Sequence, residues 1–145
     1  MTVAHRLLFI LPTMSKRTIL VVEDDPAALQ SYGRLLRRLG HRVLLAGDCD
    51  QANRDLQETG DVDLLILDNQ MPAVCGLEFL ATLRRAWQGG RSPVVLLVSA
   101  FLSADLRARA RLLGVSEILE KPVDPRRFLD RVRALLAEPD PEPVS

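Results

Sequence analysis

Apolar positions along this chain follow two spacings. Ile19 to Val22, Leu64 to Leu67 and Val94 to Val98 are unbroken apolar runs, and Val43 to Ala46 and Ile118 to Leu119 are shorter ones. Continuous apolar runs of this length, without alternation, are expected of strands covered on both faces. Between them the spacing becomes helical. Pro26 suits a first helical turn, and Ala28, Leu29, Tyr32, Leu35, Leu36 and Leu39 share one face until Gly40 stops the run. Further helices are predicted over Ala52 to Thr59, with Asp48 as a candidate cap and Gly60 as stop, and over Gly76 to Trp87 before the Gly89-Gly90 break. Two more follow, from about Ser103 to Leu113, closed by Gly114, and from about Asp124 to Leu136. Five strands alternating with five helices predict an α/β fold, a flavodoxin-like doubly wound five-stranded parallel sheet of order 2-1-3-4-5.

The polar residues that end these strands carry the candidate chemistry. Glu23, Asp24 and Asp25 follow the first strand, Asp68 ends the third, Ser99 ends the fourth, and Glu120 and Lys121 follow the fifth. Parallel strands align their carboxyl ends on one edge, and order 2-1-3-4-5 puts strands 1 and 3 at the switch point where ligands bind. Alone, Asp68 reads as a turn former before Asn69, Gln70, Met71 and Pro72. Beside Glu23 and Asp24 it becomes one of three carboxylates that raise one another's pKa unless a cation binds among them. Magnesium suits this inventory, since it takes one or two carboxylates, keeps waters and completes its shell with phosphate oxygens. Zinc would want His or Cys, and the histidines, His5 and His41, lie away from this edge. With magnesium, the Asp68 carboxylate would attack phosphorus and form an aspartyl phosphate. Ser99 reads either as a cap or as a hydroxyl donor to a phosphoryl oxygen. Lys121 is either a surface ammonium or the fixed cation for another oxygen. Pro122 permits a cis bond after Lys121 that would aim the lysine inward.

Composition narrows the setting. A length of 145 residues fits one domain. The 19 basic and 19 acidic side chains cancel, so overall charge points to neither nucleic acid nor an anionic membrane. Lys16 and Lys121 are the only lysines, which makes Lys121 less easily read as a random surface charge. Cys49 and Cys75 lack metal-ligand spacing and a disulfide-rich setting, in keeping with a reducing, cytoplasmic location. Leu7 to Leu11 is cut short by Pro12, whereas a membrane span needs roughly 20 apolar residues and a signal-peptide core about 7 to 15. The expected organisation is a poorly ordered extension over 1–15, a domain over 16–137, and a disordered tail over 138–145 with no output domain after it. Three prolines and three acids in that tail leave too little apolar surface to fold.

Val-Val-Glu-Asp-Asp-Pro at 21–26, Leu-Asp-Asn-Gln-Met-Pro at 67–72, Ser99-Ala100 and Lys121-Pro122, at their mutual spacings, resemble the receiver domain of two-component response regulators. The resemblance spans about residues 17–137 and is to the stand-alone, chemotaxis-type form. It implies that Asp68 is the phosphoacceptor, Asp24 a direct magnesium ligand, Glu23 a ligand through water, and the Gln70 carbonyl the remaining protein ligand. Ser99 and Lys121 would grip the phosphoryl group, and Asp25 would cap the following helix. The implied donor is a sensor histidine kinase or a histidine phosphotransfer protein, and the implied output is an unidentified downstream protein target, with no nucleic acid and no membrane. Such a protein is a phosphorelay switch, not an enzyme beyond its own phosphorylation and slow autodephosphorylation.

Three departures from the family pattern matter. Ile118 stands where Tyr or Phe often serves as an aromatic reporter, and Cys75 precedes Gly76 where an acid is common. Gln70 and Phe101 occupy positions that tune dephosphorylation, and a bulky Phe101 predicts a shielded, long-lived acyl phosphate. Competing readings are a receiver-like adaptor that works without phosphorylation and, with less support, an aspartate-nucleophile phosphohydrolase of the haloacid dehalogenase kind. The latter needs Asp-x-Asp after the first strand, where this chain has Glu-Asp-Asp. Flavin or nucleotide binding would need a phosphate cradle where Glu23 to Asp25 repel phosphate.

Overall fold

Residue parity along the strands decides which core each side chain joins. In β1 (Thr18–Val22), β3 (Leu64–Asp68) and β4 (Val94–Ser99), Leu20, Val22, Leu65, Leu67, Val95 and Leu97 pack into one buried cluster. Their neighbours Ile19, Val21, Leu64, Ile66, Leu96 and Val98 pack into a second. Opposite faces of one pleat thus carry separate cores, and this is why these strands are continuously apolar.

The computed structural model describes residues 16–69, 76–87 and 92–137. Among these, β2 (Arg42–Ala46) and β5 (Glu117–Glu120) complete a five-stranded sheet of order β2-β1-β3-β4-β5, parallel throughout. The helices are α1 (Pro26–Arg37), α2 (Cys49–Thr59), α3 (Gly76–Ala86), α4 (Ala104–Leu112) and α5 (Pro125–Ala137). Helices α2, α3 and α4 cover the first core through Leu56, Leu80 and Leu106. Helices α1 and α5 cover the second through Leu36, Phe128 and Val132. None of the helices among the described residues is long and apolar enough to cross a membrane.

Local chemistry sets the helix starts. Asp25 accepts from the Ala28 N–H at 3.0 Å and caps α1, with Pro26 in the first turn. Asp48 accepts from the Gln51 N–H at 2.8 Å, so α2 begins at Cys49, three residues before the apolar spacing begins at Ala52. Ser103 caps α4 through the Leu106 N–H at 3.0 Å. The far end of the molecule is closed by Arg131, which grips Glu117 of β5 with two bonds of 2.6 and 2.7 Å. His41 accepts from the Arg17 N–H where β1 and β2 begin, at the edge opposite the carboxyl ends. The expectations for 1–15 and 138–145 lie outside the described residues.

Candidate functional site

Among the described residues, three buried polar ones stand out in an otherwise apolar interior: Glu23, Asp68 and Ser99, each at most 3% exposed. All three come from carboxyl strand ends. Glu23 follows β1 and is held by a backbone bond from its N–H to Ala46 C=O at 3.0 Å. Asp68 pairs with Val98 in the β3–β4 ladder, and Ser99 pairs with Glu120 between β4 and β5. The register therefore carries side chains from three strands to a common crevice.

Lys121 closes it. Its Nζ donates to Asp68 Oδ2 at 2.6 Å and lies 3.8 Å from Glu23 Oε1. The lysine backbone is fixed by a bond from its N–H to Ser99 C=O at 2.9 Å, and the Lys121-Pro122 peptide is cis. An ammonium this close to a buried carboxylate is a short charge-assisted hydrogen bond. It offsets the desolvation of Asp68 and leaves Glu23 less well served.

Glu23 shows the consequence. Its Oε2 accepts from the Asp25 N–H at 3.1 Å, but Oε1 is buried without a hydrogen-bond partner. Burial first, and then the adjoining Asp68, push the Glu23 carboxyl up to about 8, against the lowering effects of the Asp25 N–H and Lys121. A proton shared with Asp68, or a divalent cation, would satisfy the stranded oxygen. Among the described residues no three His, Cys, Asp or Glu side chains form a ready-made metal cage. Magnesium relies on few carboxylates and several waters, and Glu23 and Asp68 supply two buried carboxylates here. Asp24, next in the chain after Glu23, is exposed. Gln70 and Cys75 lie outside the described residues, so the expectations placed on them do too.

Ser99 Oγ is engaged with Phe101: it donates to the Phe101 C=O at 3.2 Å and accepts from the Phe101 N–H at 3.3 Å. To donate to a phosphoryl oxygen its single proton must leave the Phe101 C=O, while the bond from the Phe101 N–H can stay. Phe101 is 77% exposed, which a residue packed over Asp68 would not be, so the expected shielding is not built into this conformation. Ile118 is half-buried and packs against the α2–α3–α4 core.

Two contributors escaped the sequence reading. A Cβ on Gly76 would meet the Asp68 carbonyl oxygen at 2.8 Å, so α3 approaches the acid more closely than any side chain would allow. The sequence signal was a glycine opening a helix at N1, read only as a boundary. Tyr32 is the second. It sits on α1 beside Phe128, ring centroids 5.2 Å apart, and burial together with the nearby Glu23 and Asp68 charges raises its phenol to about 12. Both rings line a groove of about 610 Å³ that runs between α1 and the β5–α5 loop and opens onto Glu23 and Lys121.

Residues 19–133 match the response regulator receiver domain. The chain belongs to that family. The receiver is 36% identical over 118 residues to the transcriptional regulatory protein CpxR of Klebsiella pneumoniae subsp. pneumoniae, covering 81% of this chain and 48% of that protein. It is 31% identical over 128 residues to the phosphate regulon transcriptional regulatory protein PhoB of Klebsiella pneumoniae, covering 88% and 55%. The chain thus spans about half the length of the curated relatives it matches. Transcriptional regulation is the role their names give to those proteins, and the zero formal charge speaks for this chain alone. Among solved structures, the signal receiver domain from Bermanella marisrubri is 31% identical with a TM-score of 0.75, covering 84% of this chain and 99% of that one. A CheY-like receiver domain protein from Methanospirillum hungatei JF-1 is 25% identical with a TM-score of 0.74, covering 84% and 94%. The strand order and the helices on both faces agree with that fold. Phosphorylation and magnesium binding are typical of such receivers.

Proposed function

We propose that this receiver is a cytoplasmic phosphoacceptor switch in which Asp68 takes a phosphoryl group from a phosphohistidine of a kinase or phosphotransfer partner. The carboxylate oxygen forms the bond to phosphorus as the phosphorus–nitrogen bond to imidazole breaks, and the ring nitrogen keeps the electron pair. The observation that carries this reading is the contact of Lys121 Nζ with the buried Asp68 Oδ2 at 2.6 Å, with Ser99 on the next strand. Nucleophile, cation and hydroxyl are held by the sheet itself, the preorganisation on which phosphoryl transfer depends. Glu23, Asp24 and the Gln70 carbonyl would hold magnesium, and the stranded Glu23 Oε1 supports that assignment. Bound there, magnesium supplies charge neutralisation for the transferring group.

The donor is expected to dock along the α1 groove. Ala28, Tyr32, Leu35, Val123 and Phe128 line it, and it leads to Lys121. Arg34 is exposed on α1 beside these apolar residues.

Incubation with acetyl phosphate and magnesium, followed by intact mass measurement, tests the proposal. One phosphoryl adduct is expected on the wild type, lost with EDTA and absent from Asp68→Asn. An adduct that survives Asp68→Asn would reassign the nucleophile.

A further inference from the structure

One motif of the sequence plays no part in the phosphoacceptor site. Leu7 to Leu11 is an unbroken apolar run, preceded by His5 and Arg6 and stopped by Pro12. It stands outside residues 19–133, which match the family, so nothing in the receiver pattern accounts for it. The α1 groove is its physical complement. Ala28, Tyr32 and Leu35 of α1 face Val123, Pro125 and Phe128 across it, and its volume of about 610 Å³ falls within the roughly 300–1,000 Å³ of preformed ligand pockets. At one end it opens onto Glu23, next to which Asp24 and Asp25 stand exposed. The result is an apolar slot with an acidic mouth.

Chain geometry can bring the two together. Strand β1 runs about 17 Å from the amino edge to the carboxyl edge, and α1 must return from there because β2 starts again beside Thr18. Leu35 therefore sits about 10 Å lower in the groove than Ala28. An extended chain reaches at most about 18 Å from Lys16 back to Leu11 and about 32 Å back to Leu7. Leu11 can thus lie level with Leu35 while Leu7 stands at the mouth. In extended backbone Leu7, Phe9 and Leu11 share one face, and Arg6 then comes beside Asp24 and Asp25.

We infer that residues 5–11 occupy the α1 groove of their own chain, with Leu7, Phe9 and Leu11 against Tyr32, Leu35, Val123 and Phe128, and Arg6 at the acidic mouth. The short tether supplies an effective concentration in the millimolar range, so a contact too weak to hold a free peptide is mostly closed here. Ordering the segment costs chain entropy, which weighs more as temperature rises, and the contact opens before the domain melts. Seated there, the segment covers the surface assigned above to the phosphohistidine donor. Only that consequence rests on the proposed function; the occupancy stands on reach, apolar match and charge.

The test compares the full chain with its Leu7→Ser, Phe9→Ser double variant by NMR at room temperature. Amide shifts should differ at Tyr32, Leu35 and Val123 and coincide along α4 and at Arg131, and the wild-type Phe9 ring should show nuclear Overhauser contacts to the Leu35 and Val123 methyl groups. Arg6→Glu should move the groove shifts at least halfway toward those of the double variant, because like charges then meet at the mouth, and Arg6→Lys should leave them near the wild type. Melting temperatures should agree throughout, since the segment leaves first. Groove shifts that match in wild type and double variant, or differences confined to other surfaces, would overturn the placement. So would a lower melting temperature in the double variant, which would make the run part of the fold instead of a detachable occupant. A groove shift that follows dimer formation in sedimentation would also overturn it, because the segment of a second copy would then fill the groove. Acetyl phosphate with magnesium needs no docking surface and should label Asp68 at matching rates in both forms; faster labelling of the double variant would mean that the segment covers the acid itself and not the groove. Failure to label either form would overturn the proposed switch while leaving the groove result intact.

Discussion

One ammonium serves two buried carboxylates, and it serves them unequally. Lys121 sits 2.6 Å from Asp68 and 3.8 Å from Glu23, so Glu23 is the group whose ionisation costs the fold. Its carboxyl rises from an ordinary 4.5 to about 8 in the folded protein. Across that interval the folded state holds more protons than the unfolded one, and stability must fall as pH rises. Urea unfolding in EDTA from pH 5 to 8.5 is expected to show this decline, with Glu23→Gln flattening it. Magnesium should raise stability more at pH 8 than at pH 5, because it competes with protons for the same oxygens. A flat wild-type profile would mean that Lys121 already compensates Glu23 in full.

At the level of elements, the approach of α3 to β3 is the tightest constraint on the acid. A Cβ at Gly76 would lie 2.8 Å from the Asp68 carbonyl oxygen and 3.3 Å from Asn69 Cα, and backbone cannot rotate away as a side chain can. Gly76→Ala is therefore expected to cost about 1–3 kcal/mol, as overpacking does, and to slow phosphoryl uptake by displacing Asp68. Gly33→Ala makes an informative contrast, because its Cβ would meet Leu45 Cδ1 at 2.9 Å, the movable end of a side chain. A smaller loss is expected there, read from the two urea midpoints. Equal midpoints would show that α3 slides away from β3 freely. Helix positions themselves were readable in advance from Pro26, Gly40, Gly60 and Gly114. The start of α2 was legible only through its cap: Asp48 was expected there and accepts from the Gln51 N–H, whereas Cys49, Asp50 and Gln51 carry no apolar periodicity.

At the scale of the whole molecule, both cores found among the described residues are built between Ile19 and Leu136. Each helix buries its apolar stripe on one face of the same sheet, so neither core can be lost alone without exposing β1, β3 and β4. Residues 16–137 produced by themselves are expected to unfold in one cooperative transition, with a melting temperature equal to that of the full chain. Two separated transitions would show that the two cores unfold independently, and a markedly lower melting temperature that the remaining residues contribute to the fold. The sheet also sets where function resides: chemistry gathers at the carboxyl edge, while the Arg131–Glu117 pair and the His41 contact stay away from it.

Sequence by itself determined the element types, the parallel sheet and the polar residues at its carboxyl edge. Unbroken apolar runs, helical spacing and glycine stops are local properties that survive any packing arrangement. It also named Asp68, Ser99 and Lys121, since strand ends are countable along the chain. Only the tertiary structure decided the distances among them, because Lys121 and Asp68 are 53 residues apart and meet through the register of three strands. The same holds for the stranded oxygen of Glu23, the closeness of Gly76 to the acid, and the exposure of Phe101. Those depend on which atoms face one another after packing, and periodicity along a chain fixes a side chain's face without fixing its neighbour.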